Sequence, residues 1–328
     1  MTLTELKYIV AVAREKHFGK AADACHVSQP TLSVAIKKLE EELQVKLFER
    51  NANEITVTPL GEEIIRQAQS VLEQADNIKE IAKRVKDPLA GSLRLGVIYT
   101  IGPYLLPELV RKVIAATPQM PLTLHENFTV KLLEELRNGD IDCAILAEPF
   151  PDRNLAIAPL YDEPFMAAVP TSHPLAKRAS VTAEEMKNET MLLLGNGHCF
   201  RDHVLEVCPE FARFSSNADG IRRSFEGSSL ETIKHMVAAG MGITLVPRLG
   251  VPAAALAAQA AATAPPRKGA KKAPPFEAPL VTYLPFVGHI PSRRVVLVWR
   301  RSFTRYEAVA ALRNAIYACE LPGVTRLS

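Results

Sequence analysis

The sequence predicts three linked parts: an all-α helix-turn-helix module, one long helix suited to dimerisation, and a larger α/β body in two portions. Three observations lead there. Residues 1–58 carry apolar positions at helical spacing, broken by a polar turn; the stretch from Thr58 to Asp87 holds a heptad stripe without a breaker; and from Ser92 onward strand-like and helix-like segments alternate.

In the first part, Leu3, Leu6, Ile9, Val10 and Ala13 form a 3.6-residue stripe, which predicts a helix. A second helix runs from Lys20 through Cys25, and the pattern breaks at Val27, Ser28 and Gln29 before Pro30 opens a third. Ala21, Ala22 and Cys25 are small enough for two helices to cross closely, while Leu32, Ile36, Leu39 and Leu43 give the third helix its buried stripe. That leaves Gln29, Thr31, Ser33 and Val34 on the exposed N-terminal end of the third helix, with Lys37 and Lys38 one turn on. Short polar side chains suit base edges in a major groove, and lysines suit phosphates. An ordinary helical hairpin shares this pattern, and charge does not separate the two readings, because residues 1–58 hold eight basic and eight acidic side chains.

In the long helix, Ile64, Ala68, Val71, Ala75, Ile78, Ala82 and Val85 alternate steps of four and three, the spacing of a two-helix seam. The alternative is a helix packed on its own domain. A dimer would present two recognition helices to DNA half-sites about one turn apart or a multiple of it. Pro88 to Gly91 reads as a hinge. Beyond it SLRLGVIYT is a strand, Pro103 to Ala115 a helix, PLTLHENFT a strand, VKLLEELRNGD a helix and IDCAILAE a strand, an order that implies parallel strands. A second α/β portion spans Tyr161 to Val246, with a helix at Ser229 to Ala239 and a strand at Gly242 to Val246. The strand Arg294 to Arg300 and the helix Thr304 to Ala318 return to the first portion.

With 328 residues, 48% hydrophobic and 23% charged, the chain can bury two or three ordinary cores, and a net charge of +3 requires any DNA contact to come from a local surface. Lys7, Arg14 and Lys16 interrupt the apolar start, leaving no signal-peptide core, and no segment reaches membrane-spanning length; a cytoplasmic address with no membrane contact is expected. Five cysteines at 25, 143, 199, 208 and 319 make no disulfide framework and no CxxC zinc motif, so they should rest as thiols. His17, His26, His125, His173, His203, His235 and His289 share no ligand spacing, and neither metal nor cofactor is expected. Cys25, Cys143 and Cys319 read as structural.

The segment GNGHCFRDHVLEVC, Gly195 to Cys208, stands apart. A helix from Cys199 would set its Cα about 13 Å from that of Cys208, whereas a disulfide needs about 7 Å or less. Bridging them would therefore require unwinding, which suits a switch better than a staple. Around Cys199, His198 and Arg201 are cations that would lower a thiol pKa, and Gly195 and Gly197 allow close backbone approach before a helix start. Cys208, among Leu205, Val207 and Pro209, reads as buried and quieter. Two ordinary core thiols would look the same.

The run AADACHVSQPTLSVAIKKLEEELQVKLFER, followed by NANEITVTPLGEE, resembles the winged DNA-binding domain of the LysR-type transcriptional regulators. Ser28, Gln29, Pro30, Thr31, Leu32 and Ser33 match the segment that opens the recognition helix, and Leu47, Phe48, Arg50, Thr58, Pro59 and Gly61 match the wing signature. The resemblance implies base reading by Gln29, Pro30 and Ser33 and a backbone contact by Arg50. It covers nearly the whole chain and implies a winged helix-turn-helix domain at 1–58, a dimerisation linker helix and hinge at 59–90, and a two-lobed, periplasmic-binding-protein-like α/β regulatory domain at 91–328. Lobe I would take about 91–160 and 280–328, and lobe II about 161–250. The Ala, Pro and Lys biased insert 251–279 has no match in the family pattern and suits a surface loop with one short Ala-rich helix.

Within that family, GNGHCFRDHVLEVC with SSLETIKHMVAAGMGITLVP resembles the hydrogen-peroxide-sensing members. The resemblance implies that Cys199 is oxidised by peroxide to a sulfenic acid and closes a disulfide with Cys208, that Thr100 and Thr129, at the ends of the first two regulatory strands, hold the peroxide or its water, and that His198, Arg201 and Asp202 tune the thiol. The Arg293 and Arg294 pair, just beyond the insert, would help hold the reduced form. The implied partners are promoter DNA, hydrogen peroxide, RNA polymerase, glutaredoxin or thioredoxin as reductant, and further copies of the chain in a homodimer or homotetramer. The implied output is transcription of antioxidant genes from a stoichiometric reaction, not an enzymatic one. Two rivals remain at this stage: a regulator answering to a metabolite bound between the lobes, and a thiol peroxidase carrying a DNA module.

Overall fold

The computed structural model describes residues 1–51, 54–83, 89–151, 154–187, 189–208, 226–257 and 280–327. Helix α1 (Leu3–Glu15) starts at a capping box, in which the Thr2 hydroxyl accepts the Glu5 amide while the Glu5 carboxylate accepts the Thr2 amide. Helix α2 (Phe18–Ala24) starts two residues earlier than expected, because His17 Nδ1 accepts the Lys20 amide and caps it. Ser28 caps α3 (Gln29–Leu43), and Pro30 lies in its first turn, where no amide is needed. The antiparallel hairpin β1 (Phe48–Asn51) and β2 (Glu54–Val57) forms the wing. Ile9, Val12, Ala21, Ala22, Leu32, Ile36 and Leu39 close one core, as the apolar spacing predicts.

Helix α4 (Pro59–Lys83) follows, with the Thr58 hydroxyl accepting the Gly61 amide at its start. Its first turns belong to the winged module: Ile65 and Ala68 are part of that core, and Ile64 and Leu72 pack on it. This corrects the expected seam. Ala68 is only 3% exposed, covered by its own chain, whereas Val71 at 37% and Ile78 at 69% face outward. The physical reason is that a heptad stripe marks a buried face without saying what buries it. Ala75 is half-buried, and the Ala82 side chain and all of Val85 lie outside the described residues.

The regulatory body opens with β3 (Leu93–Ile98), α5 (Gly102–Ala116), β4 (Leu122–Asn127), α6 (Thr129–Asn138) and β5 (Cys143–Ala147). Strand β3 pairs in parallel with both β4 and β5, as the alternation predicts. Next come β6 (Leu155–Pro170), α7 (Ala183–Met186), β7 (Leu193–Leu194), α8 (Cys199–Val207), β8 (Glu226–Gly227), α9 (Leu230–Ala238) and β9 (Thr244–Pro247). The chain ends with β10 (Val281–Pro285), β11 (Ser292–Arg300), α10 (Tyr306–Tyr317) and β12 (Thr325–Arg326).

Strand β6 organises the two lobes. Residues 155–164 pair with β11 beside the lobe I core, and residues 165–170 pair with β9 and β10 beside the lobe II core. The cores divide on the same strand, Leu155, Ala158, Leu160 and Tyr161 on one side and Phe165 to Val169 on the other. Strand β11 returns to lobe I antiparallel to β5. The return falls later than the expected residue 280, because Tyr283, Leu284 and Phe286 bury in the lobe II core. Of the insert, Ala255 and Leu256 pack on lobe II, and residues 258–279 lie outside the described residues. No helix among the described residues is long and apolar enough to cross a membrane.

Candidate functional site

Helix α8 lies across the junction of the lobes. Cys199, its first residue, packs against the lobe I core, whereas Phe200, Val204 and Cys208 are buried in the lobe II core. The expected helix between the two cysteines is present, and all five cysteines are free thiols. Cys208, only 1% exposed, caps the C-terminal end.

Tyr99, Thr100, Phe128, Thr129, His198 and Cys199 line a cavity of about 10 Å3, room for roughly one water-sized molecule. Thr100 stands just past β3, where the chain turns into α5. Thr129 is the first residue of α6 and not the end of a strand, because Phe128 already takes the capping conformation. Both threonines sit in strand-to-helix turns, and both are buried. The Thr129 hydroxyl makes no full hydrogen bond among the described residues, yet it lies close enough to Cys199 to favour the thiolate. Gly197 precedes the site at φ +96°, and a Cβ there would meet Phe128 at 3.3 Å, so glycine serves both the left-handed turn and the close approach.

A buried ion pair backs the cavity. Arg293 on β11 donates to Glu163 Oε2 at 2.9 Å, to the Thr100 hydroxyl at 2.8 Å and to the Thr100 carbonyl at 2.9 Å. Its guanidinium also lies 5.4 Å from the centre of the Phe200 ring. Glu163, fully buried, accepts the Leu249 amide at 2.8 Å with its other oxygen. One network therefore joins Thr100 at the end of β3 to Leu249, which lies just past β9 and packs on the lobe I core. Arg294 does not share this role: successive strand residues face opposite ways, and it pairs on the outside with Asp162 at 2.8 Å.

The electrostatics add one residue to those expected around the thiol. Burial pushes the Cys199 thiol up; the Thr129 hydroxyl and Arg293 oppose this, Asp202 adds to it, and the backbone amide at the helix start favours the thiolate. A cation acting on the thiol is Arg293, remote in sequence. Arg201 donates to the Leu194 carbonyl at 2.8 Å. His198 is buried against Phe128 and Tyr99, with ring centres 4.8 and 5.8 Å away, and burial pushes its pKa down against a hydrogen bond to the Ser228 backbone. It is neutral near pH 7.

Glu163, Phe128, Tyr99 and the ring of His203 were not singled out by sequence reasoning. Glu163 had a signal, an acid followed at once by the apolar strand PFMAAVP. The contribution of the two aromatics depends on the loops that bring them to His198, which no local pattern reveals.

At the other end of the molecule, α3 exposes Gln29, Pro30, Thr31, Val34, Lys37 and Lys38, with Ser33 half-buried. Ser28 is exposed and spends its hydroxyl on the Thr31 amide. Lys37 lies 3.8 Å from Glu41, and Arg50 stands in β1 opposite Ile55.

These two features, a helix-turn-helix with a wing and a two-lobed body, are shared with a known family. Residues 3–62 match the bacterial regulatory helix-turn-helix protein, lysR family, and residues 86–268 match the LysR substrate binding domain. The chain belongs to the LysR family of transcriptional regulators. Within that family it stands with the OxyR regulators: the DNA-binding transcriptional dual regulator OxyR of Escherichia coli (strain K12) and the hydrogen peroxide-inducible genes activator of Dickeya chrysanthemi are each 39% identical over 313 residues, 94% of this chain and of theirs. A full-length Pseudomonas aeruginosa OxyR with aspartate in place of a cysteine is 44% identical, with a TM-score of 0.73 over 98% of this chain and 96% of that one. A Corynebacterium glutamicum OxyR mutant solved with H2O2 bound is 32% identical, with a TM-score of 0.58 over 97% of this chain and 92% of that one.

Proposed function

We propose that this DNA-binding regulator senses hydrogen peroxide through Cys199 and Cys208 and converts their oxidation into altered transcription of antioxidant genes. The observation that carries this reading is a thiol lining a cavity sized for one small molecule, on a helix whose far end buries the second thiol in the other lobe. The Cys199 thiolate attacks one peroxide oxygen, the O–O bond breaks, and the departing hydroxide takes a proton to leave as water. Thr100 and Thr129 orient the peroxide, and Arg293, acting through Thr100, stabilises the charge as it moves to the distal oxygen. Neutral His198 walls the site, while Arg201 and Asp202 hold the first turn of α8.

The sulfenic acid on Cys199 then condenses with the Cys208 thiol, forming the S–S bond and releasing a second water. The helix sets the Cα atoms of the two cysteines about 13 Å apart, so α8 must unwind and draw Cys208 out of the lobe II core. Linker helices paired through Val71, Ala75 and Ile78 carry the change to recognition helices, where Gln29, Pro30, Thr31 and Ser33 face bases, and Ser28, Lys37 and Arg50 face the phosphate backbone. Dimers or tetramers of the chain, promoter DNA, RNA polymerase, and glutaredoxin or thioredoxin as reductant complete the cycle.

The test is peptide mapping after one equivalent of hydrogen peroxide, alongside a Cys208→Ser control. A Cys199–Cys208 bridge in the native chain and a trapped sulfenic acid at Cys199 in the control support the reading. Two free thiols after the same treatment overturn it.

A further inference from the structure

We propose that His203 is the positioning residue that holds α8 in its reduced register, through one hydrogen bond that must break before Cys208 can reach Cys199. The inference rests on the redox reading above and adds what sets the speed of its second step. His203 sits in the middle of α8, only 5% exposed, and its Nε2 lies 2.6 Å from the carbonyl oxygen of Glu148, just beyond β5 in lobe I. A carbonyl only accepts, so Nε2 carries the proton and donates. Nδ1 is then the unprotonated nitrogen, and it is buried with no hydrogen-bond partner among the described residues. The ring packs near Phe165 of lobe II, with centroids 6.1 Å apart, and among the described residues makes a single hydrogen bond, across the lobe junction.

That bond differs from the apolar contacts of α8, and from the Arg201 bond to the Leu194 carbonyl, which stays within lobe II. Phe200, Val204 and Cys208 bind the helix to lobe II, and such apolar packing tolerates sliding and rotation. The His203 bond is directional and reaches lobe I, so it fixes the register of α8 against the lobe that carries Thr100 and Thr129. Closing the Cys199–Cys208 bridge requires the residues between them to unwind, and His203 lies among these. Unwinding strips the donor from Glu148 O, a cost added to that of extracting Cys208. The attack of Cys199 on peroxide precedes this movement and uses none of it.

The two steps therefore separate experimentally in the full-length protein. In a Cys208→Ser background, dimedone trapping after rapid mixing with hydrogen peroxide measures sulfenic acid formation at Cys199; with Cys208 present, rapid-quench mass spectrometry measures disulfide closure. His203→Leu keeps an apolar body of related size but removes the donor, and His203→Gln retains an amide donor. Closure in His203→Leu should be faster by about fivefold, the factor that a hydrogen bond of ordinary net strength carries. Sulfenic acid formation should be unchanged, and His203→Gln should return closure to the native rate. Equal closure rates in native and Leu variants overturn the inference, as does a Leu variant in which both steps change together, the mark of general loosening.

Amide hydrogen exchange on reduced protein separates this inference from the redox reading. Exchange across residues 200–207 should quicken in His203→Leu with no peroxide present, even if Cys199 proves unreactive. Unchanged exchange there overturns the brace whatever the cysteines do.

Discussion

At Arg293 a single side chain serves both the cavity and the seam between the lobes. Its guanidinium satisfies Glu163 and Thr100 at once and is only 2% exposed. Arg293→Met leaves the Glu163 carboxylate buried without its partner, and a loss of about 3–5 kcal/mol is expected, measurable by urea unfolding of the reduced protein. The same change removes the cation that favours the Cys199 thiolate, so oxidation by peroxide should also slow. The buried histidines set the pH dependence. Burial holds both His198 and His203 below the ordinary histidine range, so the neutral rings contribute stability that is fully present above about pH 6.5 and is lost as pH falls below it. Urea midpoints of the reduced protein should therefore drop between neutral and mildly acidic pH. Cys199 has the opposite sign: its thiol is held up, so the thiolate fraction and the rate of oxidation should still be rising with pH beyond the ordinary thiol range.

Helix α8 was legible before its surroundings were. Given a helix from Cys199, the spacing already implied that the two thiols are too far apart to bridge without unwinding, and the helix is present. What local sequence could not say is that one end of the helix packs on lobe I and the other on lobe II. That division makes the element a switch candidate, because separating Cys208 from its core costs apolar burial. Cys208→Ser puts a hydroxyl among apolar side chains and should cost about 1–3 kcal/mol, read as a lower denaturation midpoint of reduced protein. The part played by Arg293 was hidden from local sequence for a related reason. Neighbours in sequence diverge at a helix start, and Arg201 turns to the Leu194 carbonyl while Arg293 arrives from a strand more than ninety positions away.

Across the whole molecule, α4 connects the winged module to the body by a polar contact. Glu73 pairs with Arg300 at 2.7 Å and accepts from the Ser302 hydroxyl at 2.7 Å, beside a cavity of about 590 Å3 between the linker helix and lobe I. Arg300 ends the strand in which Arg293 is the second residue, so β11 touches the thiol site at one end and the linker at the other. Glu73→Gln should loosen this docking, seen as a larger hydrodynamic radius of the reduced protein. On the outer face of α4, Ile78 is 69% exposed and fits the proposed seam between copies. Ile78→Asp should shift sedimentation toward monomer while leaving the winged core intact.

Sequence alone determined the helices of the first module, the long linker helix and the alternating α/β body, because each rests on short-range periodicity, capping and turn chemistry, while the motif resemblance carried the helix-turn-helix and the paired thiols. Tertiary structure alone decided that β6 belongs to both lobes, that Ala68 is covered by its own module, and that Glu163, Arg293 and Thr100 form one buried network against Cys199. These depend on contacts between residues far apart in the chain, where burial and pairing are set by how the layers pack and not by any local pattern.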